Sequence, residues 1–356
     1  MKALFITGSD FSDDTYGGPK GSYRNYLLIR EYFDVDIYTV VKKSTLRSAL
    51  SIIQGFFPPT DISDVINIRK MNEQNKYSLV FFDGSTYGEL IKIFKKTKPK
   101  IIMFFHNCEH DYIRVRFGNK FSLKKWIYQI LNDKSEKIST TKSDYRITFS
   151  SRDASRIKNI YGVNVQTQLP LAIVDKYQIK EPVDYKKSCL LFGPAGTANV
   201  EAFEWFIKNV SSKLNCITIV AGKGFEEYKA WENDKVCVIG YIDEISDLYN
   251  MVSCVAIPLL TGGGMKVKTV EAMMFGKTIF GTDEAFSGYD INYEKIGGLC
   301  NDADSFINKI NSFIELNSNE YNLYARKMYE SKYSVEASKR IFKEIMNDLE
   351  IGRQER

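Results

Sequence analysis

Two doubly wound α/β domains in series are the fold class this sequence predicts, on three observations. The chain has 356 residues, about twice what one ordinary compact domain holds. Short β-branched and aromatic runs alternate with helix-length amphipathic segments, as parallel sheets covered by helices on both faces require. The alternation then stops in a polar, proline-marked stretch from Pro170 to Lys187 and begins again.

In the first series, Ala3–Ile6 reads as a strand because an apolar run is cut short by Gly8, Ser9 and Asp10. Val35–Val41, Leu79–Asp83, Ile101–Phe105 and Ile147–Ser150 read likewise, with helices at about Gly21–Tyr32, Tyr87–Lys98 and Leu123–Lys142 between them. The second series has strands at Cys189–Phe192, Cys216–Ala221, Val236–Ile239, Val255–Pro258 and Thr278–Gly281. Its helices are Asn199–Lys213, Glu244–Met251 and Lys266–Phe275. A last helix over Val335–Leu349, opened by Ser334, comes after the second sheet is complete and is expected to cross back to the first domain. The predicted boundaries are 1–170, 171–333 and 334–356. A ligand shared by two such domains is expected in the cleft at the carboxyl ends of the strands.

The hydrophobic fraction of 44% and charged fraction of 26% are those of a globular protein. The first apolar run is too short for a signal-peptide core, and no stretch approaches the roughly 18 apolar residues of a spanning helix. Six cysteines stand singly, most in apolar runs, which suits buried thiols in a reducing, cytoplasmic setting. With His106 and His110 as the only histidines, ligands for a structural metal are few, and none is expected. The net charge of +5 is uneven: residues 1–170 hold 27 Lys and Arg against 17 Asp and Glu, the rest 22 against 27. A basic first domain fits an anionic membrane surface or a phosphate-bearing acceptor, and equally a solvated face with no partner. Nucleic acid is not expected, since no binding module accompanies the charge.

The most informative stretch runs from Pro258 to Ile279. A strand ends, Gly262, Gly263 and Gly264 follow, then Met265, and a helix opens with Lys266, Lys268 and Glu271 in its first turns. Glycines let backbone approach an anion, and a helix N-terminus presents unpaired N–H groups and the positive end of its dipole. Two lysines there suit a diphosphate, and Glu271, on the face of Lys268, suits hydroxyls beside it. The same residues also describe a glycine turn before a surface helix with an i,i+3 ion pair.

The span from about Lys235 to Asp290 resembles the donor-binding region of family 4 retaining glycosyltransferases, whose pattern G-x-G-x-[RK]-x-K-x-x-E-A-M-x-x-G-[KR] has counterparts from Gly262 to Lys277. Gly240-Tyr241-Ile242-Asp243 resembles the turn whose backbone meets the nucleobase. Leu190–Asn199 followed by Glu201–Ile207 resembles the family's strand, glycine turn and helix facing the donor phosphates. The resemblance implies the GT-B fold, two Rossmann-like domains facing a central cleft, and metal-independent transfer from a nucleotide-sugar, with uridine the preferred base. It makes Glu271 the ribose-binding glutamate and Lys266 and Lys268 the diphosphate cations. Gly196, Thr197, Gly222, Lys223, Tyr241, Ile242, Gly262, Gly263, Gly264 and Met265 complete the donor contacts on this domain. Gly263 stands where the family's first signature glutamate would be, and an Arg and a Lys common in the 193–199 turn are absent.

In the first domain, Gly17 and Gly18, within Tyr16–Gly21, resemble the family's loop that closes on the donor. His106, in Phe104-Phe105-His106-Asn107, resembles the histidine near the donor sugar, and it joins Lys268 and Glu271 as the candidate catalytic set. Glu109, His110 and Arg114 are acceptor-side candidates. Asp34-Val35-Asp36 and Asp302-Ala303-Asp304 lie outside the single-sheet setting of a metal-binding Asp-x-Asp. The function implied is sugar transfer to a saccharide or lipid-linked saccharide in cell-surface polysaccharide or glycoconjugate synthesis. The alternatives are a non-catalytic subunit of the same fold, which missing donor contacts would suit, and a nucleotide-sugar epimerase, for which two histidines are few.

Overall fold

Alternating residues of the first strands already decide a two-faced sheet. Ala3 and Phe5 pack with Phe81 and Phe104 on one side, while Leu4 and Ile6 pack with Val80, Phe82 and Phe105 on the other; all are buried. A strand buried on both faces has no polar side to show, so its sequence is a continuous apolar run. The structure, a computed structural model, describes residues 1–10, 17–117, 122–178, 187–262, 264–316 and 321–351, with residues 17–20 and 115 described by backbone alone. It falls into two units, Met1–Pro170 with Ser338–Arg356, and Leu171–Ala337. Among the described residues each unit carries one six-stranded sheet, all of its pairings parallel.

The N-terminal strands are β1 (Lys2–Thr7), β2 (Asp34–Thr39), β3 (Tyr77–Asp83), β4 (Lys100–Phe105), β5 (Tyr145–Thr148) and β6 (Thr167–Gln168), in the order β2-β1-β3-β4-β5-β6. One face is covered by the helix Gly17–Arg30 through Leu28 and Ile29, and by Phe342, Ile345 and Met346 of the last helix, Val335–Asp348. Each such large apolar side chain contributes about 1.5–3 kcal/mol on burial. The buried Arg24 joins these parts, its Nη1 donating to the Pro170 carbonyl at 2.7 Å and to Ser338 Oγ at 2.9 Å. The other face is covered by Ile62–Gln74, the kinked segment Ser85–Lys95 and Ser151–Tyr161.

The C-terminal strands are β7 (Ser188–Phe192), β8 (Ile217–Ala221), β9 (Val236–Gly240), β10 (Cys254–Ile257), β11 (Thr278–Gly281) and β12 (Gly297–Leu299), in the order β12-β11-β10-β7-β8-β9. In both sheets the chain leaves the first strand to one side and later returns to its other side. The loops after β1 and β3, and those after β7 and β10, therefore diverge, and such a switch point is where open α/β sheets bind ligands.

Several expectations are revised. The strands β6 and β12 were not anticipated, nor were the helices Thr45–Ile53, Ile62–Gln74, Glu109–Phe117, Ser151–Tyr161 and Ala303–Leu316. The first helix begins at Gly17, so Gly17 and Gly18 form its first turn and are not in a loop ahead of it. Neither Asp-x-Asp string is idle: Asp36 accepts from Tyr77 Oη at 2.7 Å, and Asp302 accepts from the backbone of Ser305 at 2.8 Å, opening the helix behind it. All six cysteines are unbridged, and only Cys237 is exposed. No helix among the described residues is long and apolar enough to cross a membrane.

Candidate active site

At the C-terminal switch point the turn after β7 is shaped by what it lacks. A Cβ on Gly193 would stand 2.8 Å from both Lys268 Nζ and Asn199 Nδ2, and one on Gly222 would stand 1.9 Å from the Gly193 carbonyl oxygen. Both glycines have left-handed φ, +147° and +136°, which other residues adopt only with strain. The ends of three strands are thereby drawn together: Gly193 N donates to Ala221 O, Gly222 N to Gly240 O, and Ala195 N to Lys223 O.

Lys268 lies in the helix Val267–Met274 and reaches into this turn. Its Nζ donates to Asn199 Oδ1 at 2.7 Å and lies 5.2 Å from the centre of the Phe203 ring. Burial, helped by the charge of Lys266 and opposed by Glu271, brings its pKa down to about 7. Neither adjoining helix is capped by a side chain: Thr197–Asn209 begins behind Gly196, and Val267–Met274 behind Lys266. Helix N-termini with a desolvated ammonium beside them have the chemistry that suits an anion. Pro194, Gly196, Thr197 and Ala198 are solvent-exposed, so an anion has access.

Lys266 points elsewhere, to Glu284 Oε1 and to the Gly264 carbonyl at 2.7 Å, while its own carbonyl accepts from Tyr289 Oη at 2.6 Å. Glu271 is buried, and its charge raises the pKa of Tyr249 and Tyr289 beyond what burial does. Tyr241 is exposed just past β9, Ile242 beside it half-buried. Gly263 lies outside the described residues.

In the N-terminal unit the switch point belongs to Asp83, the last residue of β3. Its buried carboxylate accepts from Thr7 Oγ1 of β1 at 2.9 Å and Asn25 Nδ2 at 2.9 Å, and its Oδ1 lies 3.0 Å from His106 Nε2, just past β4. Burial raises its pKa, but His106 and hydrogen bonds from Ser22 and Asn25 outweigh that and hold the carboxyl below its ordinary value. An ionised Asp83 accepts the Nε2 proton as a hydrogen bond, which leaves Nδ1 as the ring's other polar atom. The ring is edge-on to Phe104 and Phe149, at 5.0 and 5.3 Å between centres, and is partly open to solvent.

The helix Glu109–Phe117 starts on a buried carboxylate. Glu136 accepts from the backbone N–H of Glu109 (2.9 Å) and of His110 (3.1 Å), from Ser85 Oγ (2.9 Å) and from Tyr161 Oη (2.7 Å). Burial, then the charge of Glu136, lift Glu109 to about 7, and His106 pulls the other way.

The family model for group 1 glycosyl transferases matches residues 186–315, which span β7 to the helix Ala303–Leu316. Similar solved structures include sucrose-phosphate synthase from Thermosynechococcus elongatus, with a TM-score of 0.71 at 13% identity over 98% of both chains. The fold is GT-B. The apo form of the lipopolysaccharide outer core galactosyltransferase WaaB aligns with a TM-score of 0.68 at 16% identity, over 98% of this chain and 100% of that one. Anabaena HepE in complex with UDP aligns with a TM-score of 0.69 at 13% identity and the same coverage. No curated protein matches the sequence. The family model and the shared fold together support a glycosyltransferase.

In this GT-B chain the structure brings together Gly193, Asn199, Gly222 and Lys268 on one unit, and Asp83, His106 and Glu109 on the other. It engages His110 with Asp133, at 2.9 Å from Nδ1, and leaves Arg114 exposed on its helix. Asp83, Asn199 and Glu284 are additions that the sequence reading did not single out. Asp83 carried one signal: it is an acidic residue at the carboxyl end of a buried strand, where burial without a purpose is costly.

Proposed function

We propose that this protein transfers a sugar from a nucleotide-sugar, with UDP as its nucleotide, to a saccharide acceptor with retention of configuration, in cell-surface polysaccharide or glycoconjugate synthesis. The observation that carries the proposal is Lys268, a desolvated cation between two uncapped helix N-termini at the switch point of the C-terminal sheet. Complexes of HepE with UDP and with UDP-glucose add support for a nucleotide-sugar donor.

In the proposed reaction the diphosphate lies against the 193–199 turn and Lys268, and Glu271 takes the ribose hydroxyls. Negative charge grows on the departing diphosphate as the anomeric carbon becomes oxocarbenium-like, so a fixed cation and helix N–H groups stabilise that state more than the ground state. Lys266 joins in once the anion competes with Glu284 for its ammonium. With these cations the proposal assigns no role to a metal ion. His106, its Nε2 held by Asp83, offers Nδ1 to a sugar or acceptor hydroxyl.

Calorimetric titration with UDP and GDP in chelator, on the intact protein and on Lys268→Ala and Glu271→Ala, tests the reading. Binding of UDP that both substitutions weaken is expected. Absence of binding by the intact protein would sink it in favour of a non-catalytic subunit.

A further inference from the structure

Two helices of the N-terminal unit carry their apolar stripes on the wrong side. In Thr45–Ile53, Leu46, Leu50 and Ile53 share one face and are 73%, 48% and 80% exposed, while the buried position is Ser51, whose hydroxyl returns to the Arg47 carbonyl. In Leu123–Lys142 the buried positions are Asn132, Ser135, Glu136, Ser139 and Thr140, and the outer face opens with Leu123, Trp126 and Ile130. The segment that follows the first helix meets the second: the rings of Phe57 and Tyr128 lie 5.7 Å apart, and Lys134 Nζ, paired with Glu89, also donates to the Gly55 carbonyl at 3.3 Å. Six large apolar side chains thus stand on two elements of one unit. Two exposed apolar stripes on one unit call for a contact.

The surrounding charge says with what. Residues 41–57 contain Lys42, Lys43 and Arg47 and no acidic residue; residues 114–131 contain five Lys and Arg and, again, no acidic one. Lys43 turns inward to Asp61 and Asp64, but Arg47, Lys124 and Lys137 are exposed. A second copy of this chain would bring cations against cations. An anionic lipid surface offers the opposite charge, an apolar layer a few ångströms deep, and the interface that tryptophan favours. We propose that this face docks the protein on an anionic bilayer, with Leu46, Leu50, Ile53, Leu123, Trp126 and Ile130 inserted and Arg47 and Lys124 at the headgroups. The proposal is independent of the donor site.

Vesicle flotation tests it, with equimolar phosphatidylglycerol and phosphatidylcholine against phosphatidylcholine alone, at low and high salt. The intact protein is expected to float with the anionic vesicles and to lose binding as salt rises. Leu50→Glu with Ile53→Glu, and separately Trp126→Glu with Ile130→Glu, should each weaken partitioning by about tenfold or more; Lys124→Gln should cost about fivefold. All these side chains are exposed, so unchanged thermal midpoints and unchanged UDP titration would show the variants intact. Two results would overturn the proposal: no flotation of the intact protein, or flotation that the glutamate variants leave unaltered. A concentration-dependent dimer, abolished by the same variants and without vesicle binding, would give this face to a second copy.

Discussion

Replacing Lys268 by methionine keeps the length of the side chain and removes the titrating group, and binding read against pH then tests the anion site. In the unliganded protein the ammonium has a pKa of about 7, because burial outweighs Glu271 and Lys266 adds repulsion. At pH 8 only about a tenth of the molecules carry that charge, and at pH 9 about a hundredth. A diphosphate against Nζ favours the charged form, so binding at pH 8 should take up about 0.9 proton. The sign follows: affinity is greatest below the free pKa and falls as pH rises through 7, by about fifty-fold between pH 7 and pH 9. A terminal phosphate, with its second pKa near 6, is already ionised there and adds little. The groups facing Lys268 are Lys266 and Glu271 from its own segment and Asn199 and Phe203 from the helix beyond Gly196. Lys277, brought by burial to about 8, also titrates in the window, which is why the variant is needed. Calorimetry of UDP in buffers of different ionisation enthalpy counts the protons. The intact protein should show the uptake and Lys268→Met a flat profile with weaker binding. Uptake that survives in the variant, or none in the intact protein, refutes the assignment.

Glu109 makes a second pH test. Its folded pKa of about 7 lies above the ordinary 4.5, so its contribution is most favourable at low pH and is lost as pH rises through 7. Glu109→Gln should remove about 1 kcal/mol of the stability difference between pH 6 and pH 8, read from denaturant midpoints at the two values. Asp83→Asn replaces an acceptor of hydrogen bonds from Thr7, Asn25 and His106. A loss of about 1–3 kcal/mol in thermal or denaturant unfolding is expected, and, in an assay of sugar transfer, a fall in kcat of about a hundredfold with a shifted pH profile. Gly222→Ala meets the Gly193 carbonyl at 1.9 Å and a φ of +136°; about 1–3 kcal/mol of strain from φ alone should appear as a lower midpoint, and UDP binding should be lost with the turn.

The GT-B fold was legible because parallel strands buried on both faces are apolar throughout, and Leu79–Asp83 or Cys254–Ile257 look like nothing else in the chain. What was missed had little signal. Strand β6 has two residues and β12 three, too few for any periodicity. Thr45–Ile53 has a helical apolar period, but periodicity assigns the apolar side to the core, and here it faces out. Of the residues that meet at the C-terminal switch point, Gly222 and Lys268 were readable, since glycine turns and helix starts are local, whereas Lys266 turns to Glu284 instead. Two partners were not local. Asp83 meets Thr7 from 76 residues earlier and His106 from 23 later, which only the strand order β1-β3-β4 brings about. Glu284 reaches Lys266 from beyond β11.

The two switch points repeat one device with opposite charge. In each unit the helix after the first strand lends an asparagine to the charged group supplied from across the switch: Asn25 donates to the Asp83 carboxylate, and Asn199 accepts from the Lys268 ammonium. An amide serves either sign because it both donates and accepts, and it fixes the charge without neutralising it. A carboxylate in its place would act differently. Asn199→Asp would put a negative charge within 3 Å or so of Nζ and raise the Lys268 pKa towards its ordinary value. The ammonium would then be charged across the whole range from pH 7 to pH 9, yet already paired. UDP should bind more weakly than to the intact protein at pH 7, with little proton uptake and little dependence on pH. An Asn199→Asp protein that bound UDP as tightly as the intact one, with the uptake undiminished, would show that the diphosphate does not meet Lys268 at this turn.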